Sequence, residues 1–190
     1  MNKRVKVINL LTIIFLVIQL FIGYGLYKSG QINYLYEIIA ISVLFLAYTF
    51  WEIKSNLYMS NYIRFLIMAT LLAHVFIGDY LDFYSKSFIF DKALHGFGTY
   101  SFTLFSYAII NQMVTSNGSK KAYNFIFIIA LGMALGQLFE FLEFAIDLTI
   151  KPSPPAQGDV FDTNLDMILN TLGSIVAALH LNLSKYKFIK

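Results

Sequence analysis

The chain has 190 residues, 58% of them hydrophobic and only 13% charged, with no cysteine and a formal charge of +3. Soluble domains carry about 25% charged residues, so this balance excludes a soluble globular enzyme and marks an integral membrane protein. The missing cysteines exclude a disulfide framework, a thiolate metal site and a thiol nucleophile. The basic residues lie in short connections and tails rather than on one patch, which speaks against nucleic acid.

A membrane-crossing helix needs about 20 mostly apolar residues. Six stretches qualify, and they predict an all-α bundle of six transmembrane helices in one domain, residues 1–190. The first, residues 5–27, follows the basic "NKRVK" and reads as a retained anchor rather than a cleaved signal. The second covers residues 32–51, the third 62–81, the fourth 93–114 and the fifth 123–150. The sixth is "DMILNTLGSIVAALHLNL", residues 166–183. Helices three to six, residues 62–183, are expected to form the polar core, with one and two more peripheral. The turn-rich connections are "SNGSKK" at Ser116–Lys121 and "KPSPPAQGD" at Lys151–Asp159.

With the amino terminus inside, ten basic residues fall on inner segments (Lys3, Arg4, Lys6, Lys54, Arg64, Lys120, Lys121, Lys185, Lys187 and Lys190). Four fall outside: Lys28, Lys86, Lys92 and Lys151. The positive-inside rule then puts both termini in the cytoplasm and most of the acids near the outer face.

An ionisable residue at mid-helix costs about 2.5 to 3.5 kcal/mol on insertion scales, so each one is a functional candidate. On the sixth helix Asp162, Asp166 and Asn170 are four apart and share a face, continued by Gly173 and Ala177. Asp162 before Thr163 also reads as a helix N-cap. On the fifth, Gly132, Gly136, Glu140, Glu143 and Asp147 share a face. No lysine or arginine within that span neutralises Glu140, which must be protonated, hydrated, paired with histidine or bound to a cation. The fourth helix places Asp91 and His95 on one face with Gly98, and the third places His74 with Gly78, then Asp79 and Asp82 near its outer end. His180 reads as a structural histidine.

The resulting constellation is His74, Asp91, His95, Glu140, Glu143, Asp159, Asp162 and Asp166. Imidazole and carboxylate without thiolate suit zinc, manganese, magnesium or iron. His74, Asp91, His95 and Asp162 are the expected metal ligands; Glu140, Glu143 and Asp166 are the expected catalytic carboxylates, with Glu143 as general base.

In order, "H-x-x-x-G" at His74–Gly78, "FDKALHGFG" at Phe90–Gly98, "FEFLEF" around Glu140 and Glu143, and "GDVFDTNLDMILNTLG" resemble the bacterial inner-membrane family typified by YjdF. A more distant similarity to the VanZ-like family rests on the same order of D-K-x-x-H, an acidic helix and D-x-x-x-N-x-x-G. The resemblance implies a multi-pass protein of the bacterial inner membrane, with the seven positions His74, Asp91, His95, Glu140, Glu143, Asp162 and Asp166 as family polar residues. The VanZ-like family is linked to glycopeptide resistance, but this chain lacks an arginine before its last acidic motif.

Three functions stay open. A metal-dependent, hydrolase-like site under the outer surface would act on a lipid or envelope precursor. A proton-coupled transporter would use the same acids and histidines as a relay, although the mid-span prolines and inverted repeats frequent in such folds are absent from the sequence. A non-catalytic protein would use them to fix helix packing or to bind an envelope ligand.

Overall fold

The computed structural model describes residues 3–114, 121–151 and 155–184. All regular structure in these residues is helical: α1 (Lys3–Lys28), α2 (Asn33–Lys54), α3 (Asn61–Leu72) continuing into a π-helical segment (Ala73–Tyr80), the short α4 (Phe83–Lys86), α5 (Phe88–Met113), α6 (Lys121–Thr149) and α7 (Val160–Leu183). Among the described residues five helices are long and apolar enough to cross a membrane: α1, α2, α3 with its π segment, α6 and α7. Lys120, Lys185, Lys187 and Lys190, which enter the charge count above, lie outside the described residues.

The expected fourth span falls in α5, which is not among those five. The reason lies in its position. α5 packs against α3, α6 and α7, so Thr99, Ser101 and Thr103 are buried against protein and lower the helix's hydropathy. Outward residues of the flanking helices are strongly apolar, as at Leu20, Phe21 and Leu44, each more than two-thirds exposed. Helices that satisfy their own backbone and present apolar side chains outward are what a bilayer requires.

Local signals set the helix starts. Ser60 and Ser87 cap α3 and α5, accepting from Ile63 N and Phe90 N, each at 3.3 Å. At α7 the cap is Asp159, whose Oδ1 accepts from Asp162 N at 2.8 Å. This corrects the expectation that Asp162 is the N-cap: the helix starts one turn earlier and frees the Asp162 carboxylate for other work.

The interior divides by height. Where α3 begins and α5 and α7 end, the core is apolar: Met59, Ile63, Leu66, Leu104, Ala108, Ile128, Ala177 and Ala178. Toward the start of α5 and α7 it turns polar. There α7 sits very close to its neighbours. A Cβ on Gly136 of α6 would lie 2.6 Å from the Asn170 Cβ, and one on Gly173 would run into the carbonyl oxygen of Gly96. Hydrogen at these positions lets α5, α6 and α7 approach backbone to side chain, as small residues do between membrane helices.

The π segment is a departure from the α-helical register assumed for the third span. His74 and Gly78 share a side as expected, both against Tyr84, and i to i+5 bonding brings Asp79 near His74 as well. No proline causes it.

Candidate functional site

Lys92 stands at the centre of the polar region. Its side chain is 8% exposed, and Nζ donates to Asp91 Oδ2 at 2.9 Å, Asp166 Oδ2 at 2.6 Å and Asp162 Oδ1 at 2.5 Å. The first turn of α5 and the first two turns of α7 thus bring three carboxylates onto one ammonium. Its aliphatic stem carries the charge into the bundle, so a residue counted as an outer loop cation becomes a buried one.

By binding one oxygen of Asp91 and one of Asp166, Lys92 leaves their other oxygens turned toward His95. His95 Nε2 lies 3.6 Å from Asp91 Oδ1, 3.8 Å from Asp166 Oδ1 and 3.6 Å from Glu143 Oε1. Its Nδ1 lies 3.6 Å from Glu140 Oε1. These separations exceed those of ordinary hydrogen bonds. Accordingly, both Glu140 oxygens and Asp166 Oδ1 are buried without a hydrogen-bond partner among the described residues. The Glu140 side chain is 1% exposed and that of Glu143 is 26% exposed, so the cluster opens on the Glu143 side.

Five carboxylates (Asp91, Glu140, Glu143, Asp162 and Asp166) therefore surround one lysine and one imidazole. Even with His95 protonated, five carboxyl groups outnumber two basic ones in a medium that penalises unbalanced charge. Below the cluster, Thr99 Oγ1 donates to Asn170 Oδ1 at 2.6 Å, leaving Asn170 Nδ2 unpartnered. On α6, Asp147 pins the loop before α7 by accepting from Ala156 N at 2.6 Å and Gln157 N at 3.1 Å.

Of the sequence candidates, Asp91, His95, Glu140, Glu143, Asp162 and Asp166 come together. Two do not join them. Asp159 is used as a helix cap. His74, expected as a ligand alongside His95, instead bridges Glu37 Oε1 through Nε2 and the Tyr84 hydroxyl through Nδ1. Its ring faces α2 and α4 rather than α7. Asp162, also expected to be a ligand, is paired with Lys92. Burial, and then the charges of Asp79, Asp91, Glu37 and Glu143, push the Tyr84 phenol well above its ordinary range, so it remains protonated.

Sequence reasoning missed Lys92, Tyr84 and Glu37. Lys92 carried a usable signal, since it is one residue from Asp91 at a helix start. Glu37, near one end of its span, passes for an interface residue.

Among known proteins, a family described as "Predicted membrane protein (DUF2238)" matches residues 8–186. A protein of Thermotoga maritima, described only as uncharacterised, is 30% identical over 115 residues, which is 60% of this chain and 59% of the relative. The chain thus spans about three fifths of that relative's length. No solved structure matches. With nearly its whole length covered, and with apolar helices that call for a bilayer, the chain belongs to the DUF2238 family of predicted membrane proteins.

Proposed function

We propose that the α5–α7 cluster binds a divalent cation and uses it to hydrolyse a lipid or envelope precursor at the outer face of a bacterial inner membrane. In this reading α5 also crosses the membrane, making six spans, and both termini are cytoplasmic; the ten-to-four distribution of basic residues supports that orientation.

One observation carries the proposal. Lys92 holds Asp91 Oδ2 and Asp166 Oδ2, and the remaining oxygens stand 3.6 and 3.8 Å from His95 Nε2. Ligands around a tetrahedral zinc ion with bonds of roughly 2.1 Å are about 3.4 Å apart, so the spacing is too wide for hydrogen bonding and close to that of ligands sharing a metal. The three donor atoms lie within 4.8 Å of one another. A cation there answers both the surplus of carboxyl groups and the unpartnered Asp166 Oδ1.

The roles follow from the geometry. Asp91, His95 and Asp166 are the ligands. Glu140, whose Oε1 stands 3.6 Å from His95 Nδ1 on the far side of the ring, would orient the imidazole so that Nε2 faces the metal. Three protein ligands leave a position for water. Glu143, the most exposed of the five acids, would serve as the general base for a water held there. Lys92 fixes both aspartates, with Asp162 as its third partner. The protein donates no nucleophile of its own; it orients the acids, limits water and accepts a proton at Glu143.

The test uses purified protein in vesicles made from bacterial envelope lipids, with zinc supplied and products followed by mass spectrometry. Wild type should release a hydrolysis product that chelation and Glu143→Gln abolish. Unchanged product formation in both cases would contradict the reading.

A further inference from the structure

The Glu37, His74, Asp79 and Tyr84 group takes no part in that reading. It is assembled from α2, the π segment and α4. His74 directs Nδ1 at the Tyr84 hydroxyl and Nε2 at Glu37. Asp79 is 6% exposed, yet its Oδ2 has no hydrogen-bond partner among the described residues. In an α-helix residues five apart point about 140° away from each other. The π register closes that gap, so the local irregularity brings the Asp79 carboxylate to the side of His74. Gly78, between them, lies against the Tyr84 ring where a Cβ would not fit. The ring is thereby seated over the segment.

Donor atoms of Glu37, His74 and Asp79 lie within 4.8 Å of one another. Among the described residues no lysine or arginine is paired with any of the three, so two carboxylates face one imidazole. The Glu37 and His74 side chains are 39% and 31% exposed, so the group is reachable from outside the protein. An imidazole with one nitrogen held by an oxygen partner and the other facing carboxylates is the arrangement of a metal-ligating histidine with its second shell in place.

We infer that Glu37, His74 and Asp79 form a second divalent-cation site, of the zinc or manganese class, with Tyr84 as a positioning residue. The cation takes the Nε2 lone pair and one oxygen from each carboxylate, including the unpartnered Asp79 oxygen. The single ring proton then resides on Nδ1, where it is donated to Tyr84 Oη. The inference does not depend on the α5–α7 reading.

The experiment is zinc binding by full-length protein in detergent, measured by equilibrium dialysis, in wild type and in His95→Gln. The inference predicts that His95→Gln retains one zinc, and that His74→Gln or Asp79→Asn in that background removes it. Glu37→Gln, at the most exposed position, serves the same purpose if either variant fails to fold. Tyr84→Phe should weaken the retained zinc about 10- to 100-fold and shift the absorption bands of substituted cobalt. Zinc lost with His95→Gln alone, or retained through His74→Gln, Asp79→Asn and Glu37→Gln, would overturn the inference. A single zinc lost only with the His74 set would support it while refuting the α5–α7 site.

Discussion

Two groups of buried charge, one where α2 ends and α3 begins and one where α5 and α7 begin, are built in opposite senses. In the first, both oxygens of the fully buried Glu52 accept from Arg64 Nη2 at 2.8 Å, and Arg4 adds a bond of 3.1 Å to Oε1. One carboxylate meets two guanidinium groups, so every acceptor is used and positive charge is in surplus. In the second, five carboxylates meet one ammonium and one imidazole, and three carboxylate oxygens on Glu140 and Asp166 have no partner. The first is a lock whose acid is saturated. The second leaves acceptors unmatched, and those are the atoms the proposed cation would use.

The contrast can be broken from either side. Glu52→Ala should have the largest effect, about 3 to 5 kcal/mol of destabilisation, because it leaves two arginines without their carboxylate. Reversible unfolding in mixed micelles would measure this, and added zinc should raise this variant's stability no more than it raises that of wild type. Lys92→Met should also destabilise the metal-free protein, by a comparable or smaller amount. Here zinc should raise the melting temperature more than in wild type, since the ammonium that competes for Asp91 and Asp166 is gone. If both variants respond alike to zinc, the distinction between the two clusters fails.

The helix contacts that hold the second cluster together supply a smaller effect. Gly173→Val drives a side chain into the Gly96 carbonyl and should cost about 1 to 3 kcal/mol, read by the same unfolding assay. Asp159→Ala removes only the α7 cap and should cost about 1 kcal/mol, without altering zinc affinity. Its counterpart, Asp162→Ala, should weaken zinc instead, because without Asp162 the Lys92 ammonium falls wholly to Asp91 and Asp166 and competes more strongly for them.

Much of the fold and part of the site were legible in the residues. Four-residue spacing placed Asp162, Asp166 and Asn170 on one face of α7, and Gly136 with Glu140 on one face of α6, because α-helical periodicity holds in both. Depth was legible too: Glu140 sits inside a span, residues 123–150, that holds no lysine or arginine, so its partner had to come from elsewhere. Three things were not. Lys92 belongs to a helix end, where charge counting assigns lysines to water, and only the α7 aspartates pull it inward. The approach of Asp79 to His74 was not legible because i to i+5 bonding leaves no mark in apolar periodicity. The α7 cap was displaced by one turn because Asp159 and Asp162 are both plausible caps by residue type, and the choice depends on Lys92.

The central claim is that Asp91, His95 and Asp166 share one cation. Zinc-edge X-ray absorption on His74→Gln protein, loaded with one equivalent of zinc, tests it most directly. The account predicts one imidazole nitrogen and a shell of oxygens at about 2.0 to 2.2 Å, with the imidazole signal abolished by the further change His95→Gln. A spectrum without imidazole, or one unchanged when His95 is removed, would contradict it.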